Sequence, residues 1–193
     1  MHVDNISFKS RILFVDAKTF EKVKRGNYIP WGEYTQFIQK ANEFYTDSIR
    51  TCTAGALINT KTAKAIGFHV HDCLENFRNI NEYMTAMIEY LKPDKCLIIG
   101  GKKYISHNPF SLPIFSSVKK QLGKNIENIT VFERHVPVCS ESDLFYSMKE
   151  DAFYIHSHFL DRQGKNHRVS SEEELKKCFK RYRISQDDEL IFQ

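Results

Sequence analysis

Long apolar runs are missing from this chain, and no stretch approaches the roughly 20 residues that a helix needs to cross a bilayer. A soluble protein is therefore expected. The first thirty residues hold no basic segment followed by an apolar run and a small-residue cleavage site, so no secretory signal peptide is expected either. Cysteine is sparse and unpaired in pattern: Cys52, Cys73, Cys96, Cys139 and Cys178 are odd in number, widely spaced and contain no C-x-x-C. That argues against a disulfide framework and a zinc-finger site, and for reduced thiols. Glycine and proline are few, at 8 and 5, which excludes a low-complexity disordered chain. Neither a dinucleotide fingerprint nor a P-loop is present, since Gly100-Gly101-Lys102-Lys103 has the spacing of neither. A net charge of +4 is too small to imply a nucleic-acid partner without a clustered patch.

What is present is a globular composition, 41% hydrophobic and 27% charged over 193 residues, which suits a single domain spanning 1–193. Ile12 to Val15 reads as a strand. Pro30 is expected to open a helix in which Trp31, Tyr34, Phe37, Ile38, Ala41, Phe44 and Tyr45 recur at helical spacing, ending near Thr46. Ala56 to Ile58 and Ala65 to Phe68, joined by Asn59-Thr60-Lys61-Thr62, read as a hairpin whose second strand runs on into His69-Val70-His71. Leu74, Phe77, Ile80, Met84, Met87, Ile88 and Leu91 step by three and four, marking a helix closed by Pro93. Cys96 to Ile99 reads as a buried strand, Ser111 onward as a helix with Pro113 in its first turn, and Ile129 to Phe132 as a strand. A second hairpin follows, Leu144 to Met148 with Ala152 to Phe159. Ser171 and Glu174 form a capping box for a last helix carrying Leu175, Cys178 and Phe179, with Lys176, Lys177, Lys180, Arg181 and Arg183 as its basic end, before a strand at Leu190 to Phe192. Hairpins alternating with helices point to an α+β layered sandwich with a mixed or antiparallel sheet, not a doubly wound fold. Cys73, Cys96 and Cys178 fall at apolar positions and are expected in the core.

Reactive side chains concentrate around the first hairpin. Cys52 precedes its first strand and His69 ends its second, and in an antiparallel pair those two ends lie side by side. An imidazole near a thiol can turn it into a thiolate and later protonate a leaving amine. Two His-x-His pairs, His69-Val70-His71 and His156-Ser157-His158, offer a different chemistry: on a strand each pair faces one side, and Asp72, Cys73 or Asp161 would complete a metal site. The loop Lys102 to Phe110, with Tyr104, His107 and Asn108, follows a strand end where substrate loops often sit.

Thr46 six residues before Cys52, His69 seventeen after it, and Gly100-Gly101 at a strand end downstream together resemble the chemoreceptor glutamine deamidase family. The cytotoxic necrotizing factor catalytic domain shares the same Cys-His architecture. The likeness covers about Thr46 to Phe132, and where those families carry Leu-x-Gly-Cys this chain has Ile49-Arg50-Thr51-Cys52. It implies a Cys-His deamidase-like fold and a thiol-dependent hydrolysis of a glutamine side-chain amide in a target protein, giving glutamate and ammonia. It also implies Cys52 as nucleophile, His69 as general base and acid, and Thr46 as the group that orients the imidazole. No cofactor would be needed, the partner would be a protein substrate, and neither nucleic acid nor membrane would take part. The expected setting is the cytoplasm, or delivery as a bacterial effector or toxin without a cleavable signal. A metal-dependent hydrolase built on the His-x-His pairs, and a non-catalytic protein-binding domain, stand as the alternatives.

Overall fold

The computed structural model describes residues 10–30, 38–101, 109–134, 139–161, 163–183 and 189–193. Among them the elements run β1 (Arg11–Phe14), α1 (Ala17–Val23), β2 (Asn27–Tyr28), β3 (Ile38–Lys40), β4 (Glu43–Ile49), β5 (Thr53–Asn59), β6 (Lys64–Val70), α2 (Leu74–Leu91) and β7 (Lys95–Gly100). There follow α3 (Ser111–Asn125), β8 (Asn128–Arg134), β9 (Cys139–Ser147), β10 (Ala152–Leu160), β11 (Asn166–Arg168), α4 (Glu172–Cys178), β12 (Phe179–Arg183) and β13 (Glu189–Phe192).

Two mixed sheets result. One has the strand order β13-β1-β10-β9-β4-β2, with β11 beside β10, and the other β12-β8-β7-β5-β6-β3. Alternation along the strands explains how they stack, because successive side chains leave opposite faces. On β5, Ala54, Ala56 and Ile58 join Phe14, Phe44, Leu144, Tyr146, Phe153 and Ile155 of the other sheet in one buried cluster. Leu57, on the opposite face, packs with Ile80, Met84 and Met87 of α2 and Ile114, Phe115 and Val118 of α3. Phe20 of α1 covers the far side of the first sheet with Leu13, Phe145 and Tyr154. The molecule is thus layered helix, sheet, sheet, helix. Every residue of β5 is buried, as a strand covered on both faces must be.

The α+β class and layered architecture agree with the sequence, and both hairpins, α2 and α3 form where the pattern places them. Three expectations fail. The helix from Pro30 to Thr46 does not form: residues 31–37 lie outside the described set, while β3 and β4 occupy 38–40 and 43–49. Across Glu43–Ile49 Phe44 and Thr46 alternate with half-buried neighbours, an irregularity in the register then brings Ile49 inward, and pairing to β9 overrides helical periodicity. The last helix stops at Cys178, and Phe179 opens β12, so Lys180, Arg181 and Arg183 belong to a strand paired with β8 and not to a basic helix end. Cys96 and Cys178 are core residues, but Cys73 is only half-buried, because it occupies the N-cap of α2. The sequence also understates α1, a seven-residue helix capped by Asp16, whose carboxylate accepts from the Thr19 N–H at 2.7 Å.

Candidate active site

Thr46 and His69 meet across the interface of the two sheets, and a glycine sets their register. A Cβ on Gly67 would lie 2.5 Å from the Phe44 ring and 2.3 Å from Ile29 Cδ1, so the bare backbone of β6 is what allows Phe44 of β4 to sit against it. Two residues on along both strands, the same stacking brings Thr46 over His69. Thr46 Oγ1 donates to the Ile29 carbonyl at 2.7 Å and lies 2.6 Å from His69 Nδ1. A hydroxyl carries one proton. With that proton spent on Ile29, the oxygen accepts from His69, which fixes the imidazole as the Nδ1–H tautomer. The other ring nitrogen, Nε2, is buried and has no hydrogen-bond partner among the described residues, so its lone pair is unused. Burial first, and then the nearby charges of Arg134 and His71, push the His69 pKa down to about 3.

Cys52 lies at the mouth of β5. In the hairpin Ala54 pairs with His69 and Thr53 with Val70, so continuing the alternation by one step puts Cys52 on the face of Ala54 and His69. Neighbours hold its backbone from two sides. Ser111 Oγ at the start of α3 donates to the Thr51 carbonyl at 2.5 Å, and a Cβ on Gly100 would meet the Cys52 carbonyl oxygen at 3.1 Å. The downstream Gly100 therefore matters because it lets the end of β7 close on the cysteine.

The sulfur makes no hydrogen bond to His69 in the resting arrangement. Cys52 Sγ faces Asp72 Oδ1 at 3.8 Å, and burial together with that carboxylate drives the thiol pKa up to about 12. The expected thiolate is thus replaced by a neutral thiol at Cys52, with a neutral imidazole at His69. Transfer of a charge into so dry a site costs too much at rest.

Two charged groups that the sequence did not single out for this chemistry complete the surroundings. Arg134 ends β8, two residues after inward-facing Phe132, and is only 2% exposed. Its guanidinium lies 5.9 Å from the Phe179 ring centre, and its charge acts on both Cys52 and His69. The period-two pattern Phe132, Arg134 was the available signal for a basic side chain turned inward. Asp72, considered above only as a metal ligand, is a buried carboxylate directly beside the sulfur. His71 is the solvent-reaching member of the group, its side chain 30% exposed and its Nε2 3.7 Å from Asp72 Oδ1.

Cys52 and His69 sit at the ends of neighbouring inner strands, with β3 outside β6. The metal alternative fares differently. His69 points between the sheets, whereas His156 and His158 stand on the α1 side of β10, where His156 Nδ1 contacts the Val15 carbonyl at 3.1 Å and its ring neighbours Phe20. Asp161 is engaged with His167 at 2.6 Å. No group of three or more His, Cys, Asp or Glu side chains with metal-binding geometry occurs among the described residues. The loop residues Tyr104, His107 and Asn108 lie outside the described set, as does the side chain of Cys139. No helix among the described residues is long and apolar enough to cross a membrane. Compared with protein-family models and with curated proteins, the chain matches none.

Proposed function

We propose that the protein is a cysteine-dependent glutamine deamidase acting on a protein substrate, with Cys52 as nucleophile, His69 as base and acid, and Thr46 as the group that orients His69. The observation that carries this reading is the Thr46–His69 contact at 2.6 Å, with Thr46 donating onward to Ile29. A histidine locked by its Nδ1 proton, with Nε2 buried and unused on the face of a cysteine, has the form of a general base awaiting a substrate proton. A core histidine serving only the fold would satisfy both nitrogens.

In this reading the Cys52 thiol attacks the carboxamide carbon as Nε2 takes its proton. The tetrahedral oxyanion forms, the C–N bond breaks, and Nε2 returns the proton to the departing nitrogen, releasing ammonia and leaving a thioester. Water then attacks, with Nε2 again the base, to give glutamate and the free thiol. The raised thiol pKa and lowered imidazole pKa favour proton transfer in step with attack over a preformed ion pair. Arg134 supplies positive charge near the sulfur, where negative charge develops.

The experiment is to incubate the protein with a mixed cytosolic protein extract and score Gln-to-Glu conversion by peptide mass spectrometry. Conversion at particular glutamines, lost in Cys52→Ser and His69→Gln variants that remain folded at the assay temperature, is the expected result. Conversion that survives Cys52→Ser would overturn the reading.

A further inference from the structure

Asp72 stands in this site with no role in the chemistry so far. Its side chain is 1% exposed, one oxygen faces Cys52 Sγ at 3.8 Å, and the other, Oδ2, is buried with no hydrogen-bond partner among the described residues. Its position is fixed. The Cys73 N–H donates to the His71 carbonyl at 3.1 Å, Asn76 Nδ2 donates to the same carbonyl at 2.8 Å, and α2 begins at the next residue but one. A buried acceptor without a donor is costly, and such groups are kept where a ligand completes them.

The Asp72 carboxylate accepts from the Cys52 thiol and its charge raises the Cys52 pKa, the wrong sign for a helper of thiolate formation, while a backbone hydrogen bond from Asp72 offsets part of that rise. A group that opposes the nucleophile's ionisation is better explained by what it does to the substrate. The Sγ–Oδ1 distance puts the carboxylate one substituent away from the carbon that Cys52 would attack. On a primary carboxamide the substituent there is an NH2 group, a donor only, whereas a carboxylate offers acceptors only.

We propose that Asp72 is the specificity residue of the site, accepting a hydrogen bond from the NH2 of a primary carboxamide and repelling the carboxylate product. This deepens the deamidase reading and rests on it for the role of Cys52. The hydrogen bond selects an unsubstituted amide in place of an ester or ketone, because those leave the buried carboxylate unsatisfied. After hydrolysis the glutamate carboxylate faces Asp72 as a like charge, which drives product out.

Two neutral alkylating probes of the same shape test this without knowledge of the target: 2-bromoacetamide, which carries the NH2, and bromoacetone, which has a methyl group in its place. Each forms a thioether on Cys52 with loss of bromide and a proton, and site-resolved mass spectrometry of the intact folded protein gives both rates. Their ratio, divided by the same ratio for glutathione, cancels the thiolate fraction. A normalised preference for bromoacetamide of roughly ten- to a hundredfold is expected. Asp72→Ala should abolish it, while Asp72→Asn, which keeps an acceptor oxygen, should retain most of it. A ratio equal to that of glutathione, or one unchanged in Asp72→Ala, overturns the proposal. His69→Gln reports on the other reading: it should slow both probes alike, and if it slows neither, the Cys-His pairing fails while the Asp72 result stands apart. A Cys52 that takes neither probe in the folded protein overturns both.

Discussion

At the residue scale, the dryness of the interface decides how His69 behaves. Its pKa lies near 3 in the folded protein against 6.5 for an exposed imidazole, chiefly because burial penalises the charged ring. Between those values the unfolded chain binds a proton at this position and the folded one does not. Stability contributed by the neutral imidazole is therefore fully present above pH 6.5 and drains away as the pH falls toward 3, with a slope of up to about 1.4 kcal/mol per pH unit. Urea unfolding of wild type and of His69→Gln between pH 4 and 7 checks this. The difference in stability between the two should shrink as the solution is acidified, and a constant difference would mean that His69 titrates normally in the fold. That Cys52 precedes β5 while His69 lies near the end of its partner β6 was legible from the hairpin pattern. Arg134 was not, since a lone arginine after an apolar strand reads as a solvated end until a second sheet and Phe179 cover it.

At the scale of elements, the site depends on the stacking of β4 on β6. Adding a methyl group at Gly67 would drive it into the side chains of Phe44 and Ile29 at distances no relaxed structure tolerates, so the fully buried Phe44 ring of β4 must give way. Gly67→Ala should destabilise the fold by about 1–3 kcal/mol, the range for overpacking a core. It should also lower the proposed deamidation rate far more than an equally destabilising core change remote from the site, such as Val118→Ala on α3. Equal losses for the two variants would show that the β4–β6 register is not what positions the base. The sequence hid this contact for a physical reason. Within residues 43–49 Tyr45 and Ile49 stand four apart and fit a helix, whereas the strand's alternation rests on Phe44 and the polar Thr46, and only the pairing of Phe44 with Tyr146 and Thr46 with Leu144 chooses between them. By contrast α2 and the β5–β6 hairpin were readable because their signals are local: a long unbroken apolar stripe in one, and a polar turn between short apolar strands in the other.

At the scale of the whole molecule, two sheets lie face to face with helices on both outer surfaces, and the candidate site is placed where one sheet touches the other through polar atoms. Layered α+β architecture could be inferred from alternating hairpins and helices. The number of sheets could not, because β1 pairs with β10 and β13, strands far along the chain, and such pairings leave no local trace. The Thr46–His69 contact is where sandwich, tautomer and proposed chemistry converge, so the imidazole of His69 reports on all three. The most direct measurement is the ring nitrogen NMR spectrum of His69 in the folded protein, taken from pH 7 down to pH 4.5, with Thr46→Val beside it. A neutral ring with its proton on Nδ1 throughout, and loss of that fixed tautomer in Thr46→Val, is the expected result. A proton on Nε2, or protonation of the ring near pH 6.5, would contradict the assignment of His69 as the base.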